Sequence, residues 1–69
     1  MPRSVDDARK VLNVNSGTKA ETVKRVVDAL RRVWHPDLGT DDEDRKNRHI
    51  KTQQINAAWE IISGRRTAS

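Results

Sequence analysis

Cysteine, phenylalanine and tyrosine are all missing from this 69-residue chain, and it has only three glycines and two prolines. Without cysteine there is no disulfide framework, no thiolate metal site and no cysteine nucleophile, which suits a reducing compartment. No apolar run approaches the ~20 residues that a membrane-spanning helix needs. The opening Met1-Pro2-Arg3-Ser4 lacks the apolar stretch of a signal peptide. The length holds one domain and excludes a Rossmann pair, a TIM barrel or a large enclosed active site. The expectation is a soluble domain, whole or cut from a longer protein.

Apolar residues are also scarce, at 33% against 35% charged. Valine, isoleucine and leucine supply 14 of the 69 residues, close to the border at which a chain stays disordered. A chain this short buries only ~60% of its unfolded surface, so marginal stability is expected. Order must come from where the apolar residues stand. The balance of 14 basic against 10 acidic residues, net +4, suits nucleic acid, an acidic protein or anionic lipid alike.

No internal repeat or low-complexity segment is present, and three helical patterns divide the chain. The first runs from about Val5 to Asn13, with Ser4 as N-cap, Asp6 and Asp7 in the first turn, and Val5, Ala8, Val11 and Leu12 at helical spacing. Residues 13–17 read as a loop. The second opens on a Thr18/Glu21 capping box and carries Val23, Val26, Val27, Leu30, Val33 and Trp34 on one stripe. Pro36 ends it near Trp34 or His35. The third opens on a Thr40/Glu43 capping box beside an acidic run and carries Ile55, Ala58, Trp59 and Ile62, with Thr52 the weakest point of its stripe. Gly64 reads as its C-terminal stop, with Arg65 and Arg66 beside the helix end. The fold class is therefore all-α: an antiparallel two-helix hairpin with a short first helix packed across it. Val26, Leu30, Val33, Ile55, Trp59 and Ile62 are the expected core, and both tryptophans belong to it rather than to a stacking platform.

His35-Pro36-Asp37 lies at the mouth of this hairpin. Alone, such a tripeptide is a helix stop with two solvated side chains. His49 reads as a solvated helix residue. Two histidines and scattered carboxylates give no zinc spacing, and Asp41 to Asp44 lacks the glycine and terminal glutamate of a calcium loop. No metal, cofactor or small-molecule substrate is expected. Ser, His and Asp are all present, but a chain this small offers no pocket to exclude water, so the protein reads as no enzyme.

The order and spacing of these features change the weight of the tripeptide. Leu12-x-Val14 ends the first helix, a basic-faced helix follows, then His35-Pro36-Asp37, then Asn56-Ala57-Ala58-Trp59-Glu60-Ile61-Ile62. From about Asp7 to Ser63 the chain resembles the J-domain of the DnaJ family, with Trp59 at a position where the family carries tyrosine. The resemblance implies a J-domain over 4–64, followed by a disordered basic tail over 65–69. It implies a co-chaperone that binds the ATP-loaded state of a DnaK-type heat-shock chaperone and stimulates its ATP hydrolysis. His35, Pro36 and Asp37 would be the required motif, and Lys24 and Arg25 would lie on a basic docking face. The longer loop and the Ala-Ala-Trp-Glu ending look like the C-terminal J-domains of membrane-anchored bacterial proteins. The expectation is a monomer in the cytoplasm, or facing it, that meets a membrane only through parent segments.

Helical geometry puts Lys24, Asp28, Arg31 and His35 on one stripe, with Arg25 and Arg32 beside it. Several positions depart from the family pattern. Val27 stands where an aromatic is usual, Asp28 and Ala29 where Lys or Arg is common, and Leu38 where a basic residue often follows the motif. Asn13 replaces the glycine of Leu-Gly-Val, and Thr52 replaces a core phenylalanine. Asp28 can pair with its basic neighbours and blunt the field, while Arg31 and Arg32 compensate from the next turn. Two other readings compete. One is a divergent J-like interaction module without ATPase stimulation. The other is a small helical nucleic-acid binder, supported by the high pI but opposed by interspersed acids.

Overall fold

The computed structural model describes residues 2–64. The tail over 65–69, with the Arg65 and Arg66 placed beside the last helix, lies outside the described residues. Three helices, α1 (Val5–Leu12), α2 (Ala20–Val33) and α3 (Asp42–Ile62), are joined by a loop and by a short 3-10 turn over Pro36–Leu38. The fold is all-α, with no strand among the described residues. None of the helices there is long and apolar enough to cross a membrane.

Local chemistry sets the boundaries. Ser4 Oγ accepts a hydrogen bond from the Asp7 N–H at 3.2 Å, and Asp6 and Asp7 face the positive end of α1. Asn13 closes that helix at φ 57°, the left-handed region that asparagine tolerates next best to glycine. The family's glycine is thus replaced by a residue that can still make the stop.

Both capping boxes differ from expectation. The Thr18 hydroxyl is held by Asn15, donating to its Oδ1 at 3.1 Å and accepting from its N–H at 3.3 Å. Helix α2 then starts one residue later, on Lys19, without a side-chain cap. At α3 the cap moves from Thr40 to Asp41, whose Oδ1 accepts from the Asp44 N–H at 2.8 Å. Asp44 reaches back to accept from the Thr40 N–H at 3.1 Å. A carboxylate outcompetes a neighbouring hydroxyl for helix N–H donors because the bond is charge-assisted. Ser63 and Gly64 end α3, and Gly64 takes φ 79° as expected of the stop.

Ala8, Leu12, Val23, Val27, Ile55 and Ala58 form the buried core, with Val26, Leu30, Trp34, Trp59 and Ile62 half-buried around it. Of the expected core, Ile55 is fully enclosed, whereas Val33 is 59% exposed. At ~100° per residue Val33 lies ~120° from Val27, beyond the buried edge of the α2 stripe. The core is built on α3, against which both α1 and α2 pack, while α1 and α2 barely meet. Cross-links between the long helices run in opposite order along the two. Lys24 meets the Trp59 ring, Arg31 meets Asn56, and Trp34 meets Thr52.

Candidate functional site

The site begins where α2 must stop. Proline disfavours the helical region for the residue before it, and His35 accordingly turns to ψ 131°. The backbone closes into a single 3-10 turn, with the Leu38 N–H donating to His35 O at 3.0 Å and the Gly39 N–H to Pro36 O at 2.9 Å. His35 Nδ1 accepts from the Asp37 N–H at 3.2 Å. In the neutral ring this leaves the proton on Nε2, available to a partner. Asp37 Oδ2 lies 3.6 Å from the same Nδ1, and the side chains of His35 and Asp37 are 56% and 90% exposed. Both polar groups therefore face solvent, as the sequence led us to expect.

Glycine at 39 answers a demand for space. A Cβ there would run into Arg45 Cγ and meet the Arg45 Cα at 3.0 Å, while φ is an ordinary −67°. The turn is laid directly on the first turn of α3.

The basic residues divide into two pairs. Lys24 Nζ lies 2.9 Å from Asp28 Oδ1 and 5.9 Å from the Trp59 ring centre. Arg31 lies 3.7 Å from the same carboxylate oxygen and donates from Nε to Asn56 Oδ1 at 2.7 Å. Lys24's hydrogen bond is the largest influence and holds the Asp28 carboxyl below its ordinary value; desolvation opposes it, and the charges of Lys24, Arg31 and Arg32 add smaller lowering effects. Arg25 and Arg32 are exposed, and among the described residues no ion pair or hydrogen bond involves their side chains. Seven residues apart, they return to nearly the same face of α2. Val27 is completely buried, so it contributes core rather than a docking contact.

Three further residues gather at the end of α2: Asp44, Arg48 and Thr52. Arg48 Nη1 donates to Val33 O at 2.7 Å and its Nε to Asp44 Oδ2 at 3.0 Å. The Thr52 hydroxyl donates to Trp34 O at 3.1 Å. Arg48 and Lys51 also lie 5.9 and 5.8 Å from the Trp34 ring centre. Sequence reasoning gave none of these residues a role at the turn. The one signal available was a hydroxyl at a core-facing position of α3, where the stripe seemed weakest.

A shallow recess of about 270 Å³, lined by Pro2, Asp7, Lys10, Val11 and Gln54, shares no residue with the turn or the basic face. No three His, Asp or Glu side chains among the described residues converge as a metal site.

Comparison with known proteins bears on this arrangement. The chain is 41% identical over 63 residues to the co-chaperone protein DjlA of Mannheimia succiniciproducens, a match covering 86% of the chain and 22% of that protein. DjlA of Pasteurella multocida is 40% identical over the same length and shares. The chaperone protein DnaJ of Thermoplasma volcanium is 32% identical over 57 residues, or 83% of the chain and 15% of that protein. The chain carries a J-domain module of the DnaJ family. This J-domain spans about a fifth of the length of the DjlA proteins it matches. No family model matches the chain. No solved structure matches it either.

Proposed function

We propose that this J-domain occupies residues 4–64 and is a co-chaperone module, acting as a monomer on the cytoplasmic side. Its partner is a DnaK-type heat-shock chaperone in the ATP-loaded state, whose ATP hydrolysis it accelerates. His35, Pro36 and Asp37 form the stimulating motif, and Lys24, Arg25, Arg31 and Arg32 form the docking face. The observation that carries this reading is an exposed His-Pro-Asp turn at the end of a basic helix, in a chain 41% identical to a co-chaperone.

The opposite order of the cross-links supports an antiparallel hairpin of α2 and α3 with the turn at its mouth. Four cations of α2 stand against Glu21 and Asp28 on the same helix, enough to steer an acidic surface at low salt. The module supplies no catalytic group to ATP. It shifts a switch in its partner by contacting one state of the chaperone better than the other. The Nε2–H of His35 and the carboxylate of Asp37 are the exposed donor and acceptor suited to that contact.

The test is single-turnover ATP hydrolysis by a DnaK-type chaperone of the same organism, titrated with the folded domain. Acceleration that saturates with domain concentration and weakens with salt is expected. An unchanged rate at high concentration of folded domain would contradict the proposal. It would favour an interaction module without stimulation, a reading supported by Asp28's hold on Lys24 and Arg31.

A further inference from the structure

The last carbonyls of a helix have no partners within it. In α2 two of them, on Val33 and Trp34, immediately precede His35, and both are taken by side chains of α3. Arg48 Nη1 donates to the first at 2.7 Å and Thr52 Oγ1 to the second at 3.1 Å. Arg48 is itself fixed, because its Nε donates to Asp44 Oδ2 at 3.0 Å and its guanidinium lies 5.9 Å from the Trp34 ring centre. Asp44 holds the chain again beyond the turn, accepting from the Thr40 N–H at 3.1 Å. The chain is thus fastened to α3 on both sides of His35-Pro36-Asp37, while among the described residues no hydrogen bond or ion pair joins Asp44, Arg48 or Thr52 to the side chain of His35 or Asp37.

We propose that Asp44, Arg48 and Thr52 form a polar latch that fixes the angle at which the His-Pro-Asp turn is presented. They are positioning residues for stimulation of the chaperone and touch neither the partner nor the motif. Directional bonds suit this task better than apolar contact, because a hydrogen bond weakens steeply as its angle departs from linear. The guanidinium fork matters because one planar group must reach a carboxylate and a carbonyl at once. The proposal rests on the co-chaperone reading, so its test has one readout independent of the partner.

The variants are Thr52→Val, which removes the donor at nearly constant shape, Thr52→Ser, which keeps it, and Arg48→Lys, which keeps charge but loses the fork. Each is first shown by circular dichroism to be folded at the working temperature. In single-turnover hydrolysis, Thr52→Val and Arg48→Lys should lower maximal stimulation about fivefold, the low end of ordinary coupling between sites. The half-saturating concentration should stay unchanged, because the basic face of α2 is intact, and Thr52→Ser should behave as wild type. Amide hydrogen exchange is the independent readout. In Thr52→Val and Arg48→Lys, the N–H groups of Leu38 and Gly39 should exchange several-fold faster, while that of Val27 in the core should not.

Wild-type exchange at Leu38 and Gly39 in both variants would overturn the latch whatever the chaperone does. So would unchanged maximal stimulation, or a Thr52→Ser variant as impaired as Thr52→Val. Faster exchange at the turn, with no stimulation by the wild-type domain, would instead keep the latch as a structural device and overturn the co-chaperone reading on which its role depends.

Discussion

Around Ala8 and Leu12 the three helices meet through apolar side chains, with Val23, Val27, Ile55 and Ala58 closed off from solvent. Around Trp34, α2 meets α3 through Arg48 and Thr52, which donate to the Val33 and Trp34 carbonyls, with Asp44 bracing Arg48 from within α3. Burial of apolar surface is non-directional and roughly proportional to area. It holds helices together without dictating one angle between them. Hydrogen bonds add less net stability but are particular about geometry. The first region supplies cohesion. The second fixes how the turn leaves the helix pair, at the place where the proposed activity needs it.

Replacing a core residue should have the largest effect. Ile55→Ala removes a completely buried side chain, and such truncations cost about 2–5 kcal/mol, a large part of a small domain's stability. Urea unfolding followed by circular dichroism should show the loss. An unfolding curve like that of wild type would mean that the apolar region is not where cohesion lies.

The contrast between the regions also explains what could be read in advance. Spacing placed Ala8, Leu12, Val23, Val27, Ile55 and Ala58 on the apolar stripes, because burial repeats with the helical period. Of the residues expected to form the core only Ile55 is among them; Val26, Leu30, Trp59 and Ile62 are half-buried at its margin. Ser4 with Asp6 and Asp7 located the start of α1, and Pro36 the end of α2. The exposure of His35 and Asp37 followed from a turn that has to lie outside the core. Where two side chains competed for one backbone group, the reading slipped by a residue. Asn15 took the Thr18 hydroxyl, and Asp41 displaced Thr40. Val33 sat at an acceptable spacing but on the outer edge of its stripe, and only the docking of α3 decided which edge was buried. The latch followed no local pattern. Its bonds join residues 15 and 18 positions apart, and no spacing rule within one helix anticipates a bond to a carbonyl of another.

Next in size is a change at the seam between the regions. Gly39→Ala would drive a methyl group to 3.0 Å from the Arg45 backbone. Overpacking of this kind costs about 1–3 kcal/mol. The melting temperature should fall, although φ is ordinary there. An unchanged melt would show that the turn lifts off α3 at no cost.

A smaller effect is expected in acid. The hydrogen bond from Arg48, and then that from the Thr40 N–H, hold the Asp44 carboxyl below its ordinary value of 3.8. The folded domain therefore binds this proton less readily than the unfolded chain does. The stabilisation is complete above the ordinary value and is lost as pH falls through the lower folded value. The difference in melting temperature between wild type and Asp44→Asn should narrow as pH drops below 3.8. A constant difference across that range would remove Asp44's ion pair from the account of the turn region.

The smallest effect should come from Val33→Ala. Its side chain is apolar but 59% exposed, and such surface changes usually stay within about 0.5 kcal/mol. What matters at this position is the Val33 carbonyl held by Arg48, which the substitution leaves in place. A loss comparable to that of Ile55→Ala would erase the distinction between the two regions.

The most direct measurement compares wild type with Asp37→Asn in single-turnover ATP hydrolysis by a DnaK-type chaperone of the same organism, at low and moderate salt. Asp37 is 90% exposed and accepts no hydrogen bond from the rest of the turn, so the substitution should leave the fold and its melting unchanged. The account predicts acceleration by wild type and its loss in the variant, with both proteins folded. Equal acceleration by the two, or none by folded wild type at saturating concentration, would contradict it.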